Sequence, residues 1–585
     1  MSPSEKHWII ASSLSTEAEQ NLIGFPPLLR QILYNRGFTS QDTARNYLDA
    51  LPPPGSEPGD LSGIPQAAER IWWAIEKQEP IVVYGDYDAD GVTATALLTH
   101  ALRNLNANVR PYIPNRFDEG YGLNVEALDA LCESGIRLVI TVDCGIRSSG
   151  EADYANKLGL DLIITDHHQP GSQIPHANAV INPKQPGDTY PDKNLAGVGL
   201  AYKLALALLG QSETRDHRSK DISNLPPQQY LDRIQRAADY LDLVTLGTVA
   251  DLVPLIDENR ALVRVGLEYL RHPIRQGVMS LIGAAQLRAP EITTEHISYL
   301  LAPRLNAAGR LDSAQAALQL LLTEDVAEAG YLAQKLDNQN RERQQITQQI
   351  QIQAGQIALA EDPEALLLFA DDESFNPGVI GLAASRLCEQ YYRPAIVAHR
   401  GDELTRGSCR SISEFHITHA LDECSDILVR HGGHAAAAGF TVRNENLLEL
   451  KERLKTITHR ELASLDLRPT LKADAQVSLA ELRPELLNEL ARLQPTGNGN
   501  PPALFITRET KVVRSKVVGK DNAHLKLTIT DGHIYFDAIA FRQGHWQDKL
   551  PPVIDLIYTF EINMYNGHAT LQLNVRDLKP IGTPD

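Results

Sequence analysis

The chain has 585 residues, 43% of them apolar and 22% charged, with a formal net charge of −19. That length exceeds a single hydrophobic core and points to several domains, the composition excludes disorder, and no run approaches the roughly 18 unbroken apolar residues of a membrane span. The acidic balance argues against general adhesion to polyanions, so any nucleic-acid surface has to be local. Residues 466–585 hold 14 Lys and Arg against 14 Asp and Glu, which confines the excess negative charge to residues 1–465.

The first twenty residues contain only the apolar doublet Ile9-Ile10 before polar residues return, so no secretory core is expected and the chain reads as cytoplasmic. Five cysteines, Cys132, Cys144, Cys388, Cys409 and Cys424, form no CxxC pair, which argues against disulfides or a thiolate zinc site and for buried, reduced thiols. Residues 1–62 end in the Pro/Gly-rich stretch LPPPGSEPGDLSGIP and read as an accessory arm. From about 63 to 260, strand-like runs (IVVYGD, VRPYIP, RLVITVDCGI, LDLIITDHH, NAVINP) alternate with helical ones, the pattern of βαβ units and a mostly parallel sheet. Residues 231–250 read as helix leading into ADLVPL. Tyr331 to Ala354, without Gly or Pro and crowded with Gln, Arg and Lys, reads either as a long helix bridging two domains or as a surface helix of one. A second α/β pattern starts near 362, closes on HGGHAAAAGF and is followed by a helix near 446–460; after Asp466 come short β-rich runs spaced as in a small barrel.

Four segments place acid or imidazole groups where a strand or helix ends: DYDADG (Asp86, Asp88, Asp90), TVDCGI (Asp143), ITDHHQP (Asp166, His167, His168) and VADLVP (Asp251). In a parallel sheet, ligands gather beyond the carboxyl ends of the strands, so the first three should converge although they are far apart in sequence. Several carboxylates with one or two imidazoles suit Mn²⁺ or Mg²⁺ better than zinc. Two such ions can clamp a phosphoryl group and favour hydrolysis of a phosphate ester or anhydride.

DYDADG, VDCGI, TDHH and VADLVP, in this order and spacing, resemble the motifs of the DHH phosphoesterase superfamily. PRLNAAGRL (303–311), NPGVIGLAASRL (376–387), GSCRS (407–411) and GGHAAAAGF (432–440) further resemble the RecJ family of single-strand-specific exonucleases. The likeness runs from about residue 63 through the barrel. It implies an α/β protein: an accessory arm (1–62), a parallel-sheet DHH domain (63–325), a connecting helix (326–360), a DHH-associated substrate-binding domain (361–465) and a barrel resembling the OB-fold (466–585).

By the same resemblance, Asp88, Asp143, His167 and Asp251 would hold one divalent ion, Mn²⁺ or Mg²⁺. Asp86 and Asp90 would help hold a second, and Asp143 is the best bridging carboxylate. His168 would face the scissile phosphate, as general acid or phosphate contact, and Asp166 would orient the histidine pair. The chain departs from the family at Tyr84, where many members carry a metal-binding His and where Asp86 would substitute. It departs again at Phe375-Asn376 in place of Trp-His, and at GSCRS in place of GSGRS. Ser408, Arg410, Gly433 and His434 would hold substrate phosphates. Arg304, Asn306 and Arg310 read either as further phosphate contacts or as a structural node. In the barrel, Arg508, Lys511, Arg514, Lys516 and Lys520, with Phe505, Tyr535, Phe536 and Phe541, would contact a strand.

The implied activity is 5′ to 3′ hydrolysis of single-stranded DNA to 5′ mononucleotides, in repair and recombination. The implied protein is a monomer, with a single-strand-binding protein and a helicase as candidate partners. Two alternatives stay open: a phosphodiesterase of oligonucleotides or cyclic dinucleotides, and a catalytically silent single-strand-binding scaffold.

Overall fold

The computed structural model describes residues 6–115, 122–216, 238–360, 362–565 and 568–583. These form two compact units: one from Asp42–Arg341 with Arg492–Pro502, the other from the remaining described residues. Among the described residues no helix is long and apolar enough to cross a membrane.

The first unit is built on five parallel strands in the order Val109–Tyr112, Ile81–Gly85, Leu138–Val142, Asp161–Thr165, Ala179–Ile181. The three central strands are buried almost throughout, as strands covered on both faces must be. Their side chains alternate between two cores, with Ile81 and Val83 on one face and Val82 and Tyr84 on the other. From Ile81–Gly85 the chain moves first to the edge strand Val109–Tyr112 and then back across to Leu138–Val142. This reversal opens a crevice beyond the carboxyl ends of the two strands, where DYDADG and VDCGI emerge.

Helix Ala89–Asn104 carries buried residues on nearly every face, and helix Leu241–Ala250 is buried from Leu241 to Val249. Both therefore serve as core rather than as amphipathic cover. Of the helix expected over 231–250, residues 231–237 lie outside the described residues. The helix Val326–Leu359 runs 34 residues, with Leu332, Leu336 and Asp337 buried near its start and Ile350 and Ala354 near its end. It links the parallel-sheet domain to the second α/β domain.

In the second unit, a five-stranded sheet runs Leu368–Asp372, Ala395–Arg400, Leu404–Arg410, Ala437–Arg443, Leu428–His434, parallel only in its first pair. The barrel is formed by strands Phe505–Val518, His524–Thr530, Tyr535–Ala540, His568–Pro580 and Val553–Tyr565, and pairing of the first with the last closes it. The N-terminal segment supplies an unforeseen strand, His7–Ile10, which pairs in parallel with Thr470–Ala473.

A strap from 492 to 502 belongs to the first unit, whereas the residues on both sides of it belong to the second. Arg260, 1% exposed, fixes it. The Arg260 guanidinium donates to the carbonyls of Leu493 (2.8 Å), Pro495 (3.0 Å), Arg492 (3.0 Å) and Tyr47 (3.2 Å) and lies 4.3 Å from the Tyr47 ring. Deleting one member of such a buried charged network leaves several carbonyls unsatisfied. Arg260→Met should therefore lower unfolding stability by about 3–5 kcal/mol, read as a reduced urea midpoint at unchanged slope; a midpoint within error of the parent would show that the strap is held elsewhere.

Candidate metal centre

Asp86, Asp88 and Asp90 leave the carboxyl end of strand Ile81–Gly85. Asp88 caps the following helix, its Oδ1 accepting from Asp90 N (2.9 Å) and Gly91 N (3.1 Å). Asp90 turns inward, fully buried, and accepts from Gly197 N (2.7 Å) and Val198 N (2.9 Å) at the start of helix Gly197–Asp216. Asp143 follows the neighbouring strand with φ 61°, a left-handed backbone that a non-glycine residue adopts only where its surroundings impose it. Gly197 presses against it, since a Cβ there would stand 2.7 Å from Asp143 Oδ1. Asp251 ends helix Leu241–Ala250, and Gly247 on the last turn of that helix leaves room for Asp90, 2.8 Å from where a Cβ would be.

Three sets of potential ligand atoms result, each within 4.8 Å of one another: Asp86, Asp88 and Asp143; Asp90, His167 and Asp251; Asp143, His167 and His168. Asp143 and His167 belong to two sets each, so the sets merge into one cluster. The distances put Asp88 beside Asp86 and Asp90 beside His167 and Asp251. His167 Nε2 faces Asp143 Oδ1 at 3.1 Å, Asp251 Oδ2 at 3.5 Å and Asp90 Oδ2 at 4.0 Å.

Burial dominates the protonation of this cluster. It pushes Asp251 up to about 9 and Asp90 up to about 7, reinforced for both by neighbouring aspartates, and it raises Asp143 well above the carboxylate range. It holds the His167 imidazole down to about 3, so that ring is neutral at physiological pH. His168 behaves oppositely. Burial works against its charge, but Nδ1 lies 2.7 Å from Asp166 Oδ1, and the carboxylate raises the imidazole above its ordinary value. Asp166 in turn resists burial through His168 and through Ile146 N (2.9 Å), which keep it below the usual range.

The donor set fits divalent ions. Asp143 Oδ1 and His167 Nε2 are buried and face each other, yet neither has a hydrogen-bond partner among the described residues. A neutral imidazole nitrogen ringed by carboxylate oxygens gains most from a shared cation. The ligands are oxygen and imidazole, as hard or borderline ions require. Cys144 contributes nothing, because its buried thiol lies 3.8 Å from the Tyr84 carbonyl and burial raises it far above the ordinary thiol value. Burial likewise pushes Cys409 up to about 12, so neither thiol is a nucleophile.

Tyr84 stands apart from the cluster. Its ring packs in the opposite core against Tyr112 at 5.1 Å, and its hydroxyl donates to Gly122 O (2.9 Å) and accepts from Asn124 Nδ2 (3.1 Å). Lys184 and Asn182 went unnoticed in the sequence. Lys184 Nζ donates to His167 O (2.6 Å) and Asn182 Nδ2 to His168 O (2.9 Å), so both set the height of the histidine pair. Their position just after the strand Ala179–Ile181 was the available signal.

The remaining expected site residues divide by their partners. Asn306 Oδ1 accepts from Ala89 N (2.8 Å), beside the metal loop, while Arg304 is paired with buried Asp337 (2.8 Å) and donates to Leu300 O (2.6 Å). Arg310 closes the same helix. In the second unit, Arg410 donates to Cys409 O (2.8 Å) and Ser408 Oγ (3.3 Å), and a Cβ at Gly381, in the first turn of helix Ile380–Tyr391, would lie 2.9 Å from that hydroxyl. Gly433 and His434 end an exposed strand of the hairpin that HGGHAAAAGF forms. On the barrel, Lys511, Arg514, Lys516 and Lys520 are exposed. Arg508 is instead paired with Asp555 (2.8 Å), and Phe505 and Phe536 are core; only Tyr535 and Phe541, 63% and 52% exposed, present rings to solvent.

The "DHH family, N-terminal domain" matches residues 80–248 and the "DHHA1 domain" residues 363–460, which with the cluster defines a DHH-type phosphoesterase. The "RecJ OB domain" matches residues 473–577. The single-stranded-DNA-specific exonuclease RecJ of Bacillus subtilis is 39% identical over 94% of this chain and 68% of its own length. That of Escherichia coli is 35% identical over 95% and 96%. The crystal structure of Thermus thermophilus RecJ with Mn²⁺ superposes with a TM-score of 0.82 at 30% identity, over 99% of this chain and 80% of that one. The chain belongs to the RecJ family.

The raised carboxylates fix a sign for pH dependence. A carboxyl with a folded value above its unfolded one contributes stability that is present at low pH and lost as pH rises through the folded value. Asp251, raised from 3.8 to about 9, spreads that loss from the acid range up to about pH 9, and His168 has the same sign; His167, held at about 3, acts oppositely but only below its ordinary value of 6.5. Metal-chelated protein should therefore melt at progressively lower temperature from about pH 7 to 9, and excess Mn²⁺ should abolish the decline. A flat profile in chelator would refute the electrostatic picture.

Proposed function

We infer that this chain is a single-strand-specific DNA exonuclease that hydrolyses phosphodiester bonds with two divalent ions, Mn²⁺ or Mg²⁺, from the 5′ end, releasing 5′ mononucleotides in DNA repair and recombination. The observation that carries this reading is the merging of three ligand sets at one sheet crevice, in a chain whose relatives are named for that activity.

Asp86, Asp88, Asp90, Asp143, His167 and Asp251 would hold the ions, with Asp143 shared between them. Bound there, the ions supply Lewis-acid stabilisation of the phosphoryl charge and a nucleophile at neutral pH. His168 is 44% exposed at its side chain and held through Nδ1 by Asp166, and would turn Nε2 towards the substrate. Its raised pKa keeps a proton available at that nitrogen for the departing O3′ as the P–O3′ bond breaks. Ser408, Arg410, Gly433 and His434 would bind phosphates, and Arg310, Lys511, Arg514 and Lys516 the strand beyond them. Arg304 and Asn306 support from behind, the first through Asp337 and the second through Ala89 N. The chain acts in the cytoplasm as a monomer, with a helicase and a single-strand-binding protein as the partners that would open and present its substrate.

Asp143→Ala and His167→Ala should each lower Mn²⁺-dependent release of 5′-label from a long single strand by on the order of 10³-fold or more, with folding retained. His168→Ala should lower kcat by on the order of 10²–10⁴-fold and leave Mn²⁺ binding in place. Parent-like rates in the first two variants, action on dinucleotides alone, or strand binding without hydrolysis would each overturn the reading.

A further inference from the structure

The strap 492–502 reaches the metal centre through the loop that follows Asp251. Leu252, the next residue, has φ 60°, an unfavourable backbone for a side chain of its size. A strained residue persists only where its neighbours over-determine it, and here the neighbours are the strap. Asn498 Nδ2 donates to Leu252 O, and Asn498 O accepts from Leu255 N at 2.7 Å. One residue thus grips the loop at both ends. Gly499, with φ 69°, lets the strap turn against Pro254, 2.9 Å from where a Cβ would stand.

The strap itself is anchored independently of this grip. Asn500, 2% exposed, donates to Leu493 O (3.1 Å) and Pro495 O (2.6 Å) and accepts from Tyr47 Oη (2.7 Å), while Thr294 Oγ1 donates to Thr496 O (2.6 Å). With Arg260 behind it, the strap is a platform from which the Asn498 side chain reaches the carbonyl of the residue next to the ligand.

We propose that Asn498 is a positioning residue for the metal centre: by holding Leu252 in its strained conformation it fixes the carboxylate of Asp251 against His167 and Asp90. The inference rests on the reading of Asp251 as a metal ligand. Groups that orient ligands typically change metal affinity by about 10–100-fold when removed.

The test uses the full-length protein and two variants, Asn498→Ala and Asn498→Asp, the second keeping the shape of the side chain while replacing the amide donor by a carboxylate. Mn²⁺ binding is followed by titration calorimetry and by the loss of the free-ion paramagnetic signal, and folding by melting in chelator. Both variants should bind Mn²⁺ at least about tenfold more weakly, melt like the parent in chelator, and regain kcat to within about twofold at saturating Mn²⁺ with KM for the strand unchanged. Unaltered Mn²⁺ affinity in both variants overturns the proposal. So does weakened binding that appears only together with a lowered melting temperature in chelator, because the amide then supports the fold rather than the ligand. Asp251→Asn separates the two readings: if it leaves Mn²⁺ affinity intact, the assignment of Asp251 has failed and not the coupling through Asn498.

Discussion

The repulsion among buried carboxylates governs this molecule. Asp90 and Asp143 are all but fully enclosed, Asp86 is 3% exposed, and Asp251 joins them from the end of a buried helix. Like charges so placed must be protonated or compensated, and desolvation makes either solution expensive without fixed dipoles or cations. The fold supplies dipoles where it can, aiming the first amides of helix Gly197–Asp216 at Asp90 and the amides of Asp90 and Gly91 at Asp88. What these leave uncompensated is the face that Asp143 Oδ1 and His167 Nε2 share. The strained backbone at Asp143 and the glycines packed on the acids follow from forcing these groups into one crevice.

Much of this could be read along the chain because parallel sheets translate local sequence into shared position. Acid at the carboxyl end of one strand meets acid at the end of the next, whatever separates them, so DYDADG, VDCGI and TDHH declared a common site. Short β-rich runs likewise marked the barrel, and a stretch without Gly or Pro marked the long helix. Other features were hidden because the interactions that decide them are long-range. Nothing near Asp90 announces that Gly197 and Val198 will donate to it. Arg508 looked like a strand contact until Asp555 claimed it, and Phe505 and Phe536 follow a strand alternation that sends their rings into the barrel. The short run HWII carries no strand signal beyond its own apolar residues; only Thr470–Ala473 gives it an edge to join.

The cationic surfaces obey a different rule from the metal centre. A protein of net charge −19 attracts no polyanion on average, so cations must be kept in the open where a strand is to be gripped. The barrel keeps Lys511, Arg514 and Lys516 exposed on one strand with no carboxylate paired to them among the described residues, while Lys526 and Arg508 are neutralised by Asp537 and Asp555. Arg410 represents the opposite economy: it is half-buried, partly desolvated and held by its own strand through Cys409 O.

The interleaving of the two units carries a consequence for how the chain matures. Residues that complete the parallel-sheet unit arrive only with the strap, some 150 positions after Arg341. As the chain leaves the ribosome, the sheet, its helices and the acidic motifs are present long before the carbonyls that Arg260 requires. The nascent protein therefore passes through a stage in which that guanidinium has Tyr47 but not the strap carbonyls, and the loop after Asp251 has no strap to hold it. Completion of the centre is deferred until the second α/β domain has been synthesised, so a ribosome-bound fragment carries every acidic motif before it carries the support that aligns them.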